Sequence, residues 1–491
     1  MRFLHASMLV AGFMLLGRIT GFLREIVIAQ IGGASQQSDV MIVFLTFPDM
    51  MISLLLGGGL MAALVPAFRS LPPAAAMALF LRAGLLIGAV FGVLALGLAL
   101  WSGAVLGLVA PGWPQDLTAQ VSPLFRVTLI ALPVTAVSGV AVAFLNSRER
   151  FTFGAVGTLI FNATLIAALL LMARQSPVVA VTTGILCGAG LRLLVQLAAG
   201  RRFWQRPDFA AGDERAALLR RFAGSFGFFS ILALLPPLAR AYASLVEPGA
   251  LSMFNYAYKL MELPMAIIVT AIVTVLLPRL SGQVREGHGD AAAQTLGMAM
   301  RAAGVLLLGI AIATPFQGEA VVRIVFYGAP FTPEQVRELG LIVSLGFAGV
   351  PFQGLVLLYG TAFVSYDRTG ALVLASGLMV AVMAALGLAL QSVWGAGGVM
   401  IAYACAQIAG AILLSLWLWR ITGRQPFAIA LTRPLTAILL PAVVCLALSW
   451  IFRATGVWGL PALLLSAGAF LALHVGADPG IVRGVLNRRE G

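Results

Sequence analysis

The sequence predicts an all-α polytopic membrane protein of about 14 transmembrane helices, arranged as two six-helix lobes plus two C-terminal helices. Three observations lead there. Of 491 residues, 61% are hydrophobic and 10% charged, against about 25% charged in an ordinary soluble domain. Apolar runs of about 18 residues or more recur from end to end, each long enough for a hydrocarbon layer of roughly 30 Å. The basic residues also fall in alternate loops, the mark of an oriented membrane chain.

In order, the first block gives spans at 6–32, 40–68, 80–110, 119–145, 152–172 and 177–199. The second gives 222–246, 250–278, 294–315, 335–364, 370–391 and 396–419, and two more follow at 434–452 and 457–476. All are too long and too evenly apolar for lipid-facing β-strands, which alternate every second residue. The first run continues through Arg18 into Ile26, Val27 and Ile28 with no convincing cleavage site, so it is expected to be a retained span rather than a signal peptide.

Placing the N-terminus in the cytoplasm puts 19 of the 31 Arg and Lys on that side. The opposite side receives four, Arg174, Arg323, Arg337 and Arg453. That asymmetry predicts both termini in the cytoplasm and an even number of spans. The expected organisation is an N-terminal lobe (1–200), a basic cytoplasmic linker (201–221), a second lobe (222–425), and a pair of helices with a tail (426–491). The second spans of the two blocks echo each other: Phe47-Pro48 leads to Leu64-Val65-Pro66, and Leu263-Pro264 leads to Leu276-Leu277-Pro278. Both blocks start on the same side, as parallel repeats do.

A net charge of +13 invites a nucleic-acid reading. The charge is dispersed through short loops, with no basic domain and no aromatic interleaving, so none is expected. Cys187, Cys405 and Cys445 each lie in an apolar span and read as small buried side chains. His5, His288 and His474 are scattered, so no metal and no cofactor is expected. No nucleophile–base set or phosphate loop suggests an enzyme.

Eight basic residues remain within or at the edges of spans: Arg18, Arg24, Arg82, Arg126, Arg192, Arg240, Lys259 and Arg301. Each costs about 2.5–3.5 kcal/mol at a helix centre, so such residues persist mainly where they face a bundle interior or a watery cavity. Arg18 and Glu25 are two turns apart on nearly one face, with Gly21 between them. Asp39 and Asp49 lie in the second span, Asp49 beside Pro48. Tyr256, Lys259 and Glu262 share a face of the eighth, and Lys259 is the only lysine in the chain. Arg18 with Asp39, and Lys259 with Glu262, could equally be structural ion pairs. Arg82 and Arg301 are expected to snorkel to headgroups. Arg126, Arg192 and Arg240 are cavity candidates. Cations outnumber carboxylates within the spans, which favours an anionic substrate such as a phosphate or diphosphate. Gly57-Gly58-Gly59 interrupts the second span and serves either as a hinge or as a close-packing point.

Leu15-Leu16-Gly17-Arg18-Ile19-Thr20-Gly21-Phe22-Leu23-Arg24-Glu25, then Asp39, Phe47-Pro48, the stretch from Tyr256 through Lys259 and Glu262 to Pro264, and Leu276-Leu277-Pro278 resemble the MurJ/MviN family. These are lipid II flippases of the multidrug/oligosaccharidyl-lipid/polysaccharide exporter superfamily. The resemblance implies that Arg18, Arg24, Asp39, Lys259 and Glu262 bind substrate in a central cavity. It further implies that the last two helices line a groove for a polyprenyl tail and that transport is by alternating access. The chain departs from the family at Ile52 and Ser53, where a basic pair is usual, at Gly57-Gly58-Gly59-Leu60 in place of Glu-Gly-Ala-Phe, at Tyr258 in place of an aspartate, and in an eleventh span without a carboxylate.

The expected function is therefore movement of a polyprenyl-diphosphate-linked saccharide, lipid II by default. The alternatives are another lipid-linked oligosaccharide bound for an exopolysaccharide, a multidrug antiporter, whose cavity should be rich in carboxylates, and a non-transporting scaffold. The partners are the lipid-linked saccharide, the bilayer and, as candidates, cell-wall synthesis proteins; a monomer is expected.

Overall fold

A computed structural model describes residues 2–56, 59–209, 231–423, 442–448, 450–451, 465–470 and 472, and among them every regular element is helical. Helices alone close all their backbone hydrogen bonds within one segment, the condition for lying in lipid. Among the described residues, eight helical stretches are long and apolar enough to cross a membrane. Their apolar side chains point outward as well as inward: Leu85, Val93 and Leu100 on one helix are largely exposed. A helix that is apolar all round belongs in lipid or in a large core.

The chain divides into two compact units, residues 1–252 and 253–491. The first opens with α1 (Arg2–Gly32), followed by α2 (Gln36–Leu56) and α3 (Gly59–Ser70). Then come α4 (Pro73–Leu100), α5 (Ser102–Val109), α6 (Gln115–Thr128) and α7 (Ala131–Ser147). The expected single spans at 80–110 and 119–145 are thus each two helices. Pro133 explains the second break, since it has no N–H to give the carbonyl of residue 129 and the ladder cannot run through. At the first break, α5 is held to α6 by the Arg126 Nε–H, which donates to Ser102 Oγ at 2.8 Å.

Next, α8 (Thr152–Met172) coincides with its expected span, and α9 (Pro177–Gly200) starts on a Ser176 cap that accepts from the Val179 N–H. Arg82 reaches across to the segment after α9, donating to the Phe209 carbonyl at 2.7 Å with its guanidinium over the Phe209 ring. The unit closes with α10 (Leu235–Ala243) and the first residues of α11 (Ala250–Pro264). Residues 222–230 of the expected seventh span, and 210–221 of the expected linker, lie outside the described residues.

In the second unit, Pro264 ends the regular part of α11 and a π turn, Met265–Val269, leads into α12 (Thr270–Arg285). A proline inside a helix removes one ladder bond, and the wider π turn absorbs the loss. Then come α13 (Gly289–Ala313), α14 (Gly318–Val325) and α15 (Pro333–Ser365), the last begun by a reciprocal capping box between Thr332 and Gln335. A final stretch, α16 (Thr369–Thr422), is two helices joined at Trp394–Gly395, where Gly395 takes φ 57°. The expected pair at 434–452 and 457–476 is described only in part. Cys445 and Phe470 pack with Ala313 of α13, and Gly309 leaves room for the Phe470 ring. The Cys445 thiol donates to the Ser466 carbonyl at 3.1 Å, so these two segments touch. Of the other cysteines, Cys187 is exposed and Cys405 half-buried, contrary to the expectation that all three are buried.

Candidate functional site

In the first unit the seam between α1 and α8 builds the main polar cluster. Gly17 and Gly21 lie one turn apart on α1, a small-xxx-small spacing that lets two helices approach closely. A Cβ at Gly17 would touch Thr158, and one at Gly21 would meet the Asn162 amide at 3.4 Å. Into this seam α8 projects Asn162, whose Nδ2 donates to the Gly17 carbonyl at 3.3 Å.

The fixed amide oxygen of Asn162 then accepts from Arg24 Nη1 at 3.2 Å. Arg24 also forks onto Asp49, with Nη1 to Oδ1 at 3.1 Å and Nη2 to Oδ2 at 2.7 Å. Its Nε and Nη2 donate to Glu25 Oε1 at 3.2 and 2.7 Å. A guanidinium has five N–H groups, and Arg24 has all five engaged. Arg24 and Glu25 are buried, while the Asp49 side chain is 26% exposed. One cation faces two carboxylates.

Arg18 stands apart. It is exposed and makes no hydrogen bond or ion pair among the described residues. The ion pair with Asp39 that the sequence left open does not form. Asp39 instead grips the start of α11: its Oδ2 accepts from the Gly249 N–H at 2.8 Å and its Oδ1 from the Ser252 N–H at 2.7 Å. A carboxylate at a helix start satisfies orphan donors and meets the positive end of the dipole. Gly249 permits this approach, because its φ is +95° and a Cβ there would strike the Ala34 carbonyl.

Of the remaining arginines in this unit, Arg126 is exposed and serves α5. Arg240 is buried, with Nη1 donating to Thr46 Oγ1 at 2.9 Å. Arg192 on α9 is 1% exposed, and its Nε and Nη1 have no hydrogen-bond partner among the described residues. Beside it Gln196 accepts from the Ser138 hydroxyl at 2.6 Å, and Gly157 leaves the space that both long side chains fill.

The second unit carries the other charged pair. Lys259 Nζ bonds Glu262 Oε2 at 2.8 Å, with the ammonium 5.7 Å from the centre of the Tyr258 ring. Tyr258 in turn meets Tyr403 edge-on and stacks with Phe254. Tyr256 is fully buried against Phe326 and Phe331, so it packs and does not line an open surface. Gly57 and Gly58 lie outside the described residues, and Gly59 opens α3. No group of metal-ligating side chains occurs among the described residues. Asn162 escaped the sequence reading; its signal is that of a lone amide in a 21-residue helix whose other polar side chains are threonines.

Residues 28–466 match the protein family described as "Lipid II flippase MurJ". A curated relative, the probable lipid II flippase MurJ of Rhizobium tropici, is 26% identical over 98% of this chain and 96% of its own length. Among solved structures, "Lipid II flippase MurJ, inward closed conformation" superposes with a TM-score of 0.80 over 97% of this chain and 100% of that one, at 16% identity. An inward-facing multidrug resistance MATE transporter of the MOP superfamily follows at 0.69, covering 84% and 98%, at 12% identity. At those identities the two structures speak for fold alone.

Proposed function

The chain belongs to the lipid II flippase MurJ family, and from that premise we propose that it moves lipid II, a polyprenyl-diphosphate-linked saccharide, from the cytoplasmic to the outer leaflet of the bacterial inner membrane by alternating access. The observation that carries this reading is the family match, which runs through both compact units. The chain is thus a multi-pass membrane transporter of a lipid-linked substrate rather than a catalyst.

Within that reading Arg18, Arg24 and Asp49 in the first unit, and Lys259 and Glu262 in the second, serve the anionic headgroup. A planar guanidinium matches a phosphate bidentately, and an ammonium adds a compact charge. Arg18 supports this most directly, being exposed and unengaged among the described residues. Asp39 supports the frame on which those residues sit. Both termini are assigned to the cytoplasm, and the chain to a monomer organised as lobes at 1–200 and 222–425 with a C-terminal pair.

Depletion of the resident flippase in a bacterium, with this chain supplied in its place, tests the proposal. Rescue is expected for the native sequence and failure for Arg18→Ala, Arg24→Ala and Lys259→Ala, each still present in the membrane fraction. A well-expressed native protein that cannot rescue overturns lipid II as the cargo.

A further inference from the structure

Arg24 poses a problem for any anion that would use it. Its five N–H groups are taken by Asp49, Glu25 and Asn162. Two of these partners are hard to move. Glu25 is the next residue along the same helix and buried, and Asn162 is tied to the Gly17 carbonyl. Asp49 differs. It sits on another helix, is partly exposed, and presents its two oxygens to the guanidinium in the fork that a phosphate also presents.

We propose that Asp49 is a displaceable counter-ion, and that an incoming diphosphate takes its place on Arg24 while one proton from water is delivered to the site on Asp49. The inference rests on the reading of the substrate as a lipid-linked diphosphate. The balance is direct: the Arg24–Asp49 contact breaks, an Arg24–phosphate contact forms, and the released carboxylate becomes a carboxylic acid. Without the proton, three anionic groups (the phosphate, Glu25 and Asp49) would surround one guanidinium. Like charges at that range strongly favour the neutral form of one of them.

The charged groups around Asp49 fit this exchange. Its helix α2 packs against α1, α3, α6, α7 and α9. These bring Arg18, Arg24 and Glu25 from α1, Arg69 from α3, Asp116 and Arg126 from α6, and Arg192 from α9, with no charge on α7. Arg2 and His5, also on α1, lie roughly 30 Å from Arg24 along the helix axis by helical rise. Among these, Arg24 forks onto Asp49. Entry of substrate would then carry an anion and a proton together, which lowers the charge moved through a low-dielectric path.

The test uses the full chain in detergent and a farnesyl-diphosphate-linked N-acetylhexosamine, a diester that does not titrate near neutral pH. Calorimetry in two buffers of different ionisation enthalpy gives the protons taken up per molecule bound. The native protein is expected to take up about one, by linkage. Asp49→Asn should take up none and bind about tenfold tighter, a difference of roughly 1.4 kcal/mol. Should that variant not fold, the native affinity alone decides, weakening about tenfold per pH unit in the alkaline range by the same linkage. Zero uptake by the native protein, an affinity independent of pH, or equal uptake in both proteins overturns the proposal while leaving the substrate reading intact. If neither protein binds the probe, the substrate reading itself fails and the proposal falls with it.

Discussion

Three guanidiniums lie buried among the described residues of the first unit, and two of them, Arg24 and Arg192, are buried differently. Arg24 is met by two carboxylates and an amide, with every N–H engaged. Arg192 is deeper, at 1% exposure, and lies beside Gly157 with Gln196, two of its nitrogens having no hydrogen-bond partner among the described residues. Burial of a charge is therefore no guide to what the charge does. A paired cation is costly to remove because its partners are stranded, whereas an unpaired one is costly to keep.

That contrast can be broken most forcefully at Arg24. Arg24→Ala removes the cation that Glu25 and Asp49 share, and the expected loss is about 3–5 kcal/mol of stability, read as a lower melting temperature in detergent. Arg192→Met should move the other way. Replacing an uncompensated buried charge with an apolar side chain of similar reach is expected to gain about 1–4 kcal/mol. A loss on the scale of Arg24→Ala would erase the contrast and mean that Arg192 holds a counter-charge. Asp39 sharpens it from the anionic side, since its two acceptor bonds go to backbone donors at a helix start. Asp39→Ala should cost about 1–2 kcal/mol, in the range of a lost helix cap. The smallest effect on stability is expected at Lys259, whose pair with Glu262 is partly exposed and spaced as a single helical turn. Lys259→Ala should change stability by less than about 1 kcal/mol while abolishing rescue in the depletion assay.

Much of the fold was legible because the bilayer imposes length and apolarity on each crossing. The span at 152–172 coincides with α8 to the residue. Hydropathy averages over a window, however, and a change of axis made by one or two residues leaves no trace in it. Pro133 and the Trp394–Gly395 joint are events of that kind, and the π turn after Pro264 is another. The charged residues were legible as a set, because a charge in an apolar span is expensive wherever it sits. Their pairing was not. Arg18 and Glu25 share a face of α1, yet they stand about 10 Å apart along its axis, and the neighbours that bury Glu25 leave Arg18 exposed. Asp39 found its partners on a segment 210 residues away, a separation over which helical spacing carries no information. Asn162 was missed for the same reason: only the approach of α1 at Gly17 and Gly21 gives a single amide its significance.

The grip of Asp39 on the start of α11 also sets a timetable for synthesis. Its donors on Gly249 and Ser252 follow it by 210 and 213 residues. At 5–20 residues per second a ribosome needs roughly 10–40 s to deliver them. Throughout that interval the nascent chain carries an acidic group whose final donors have not yet been made. Quality-control proteases and insertion factors meet the chain in that half-built form, and a slow codon or pause between the two segments would lengthen their opportunity.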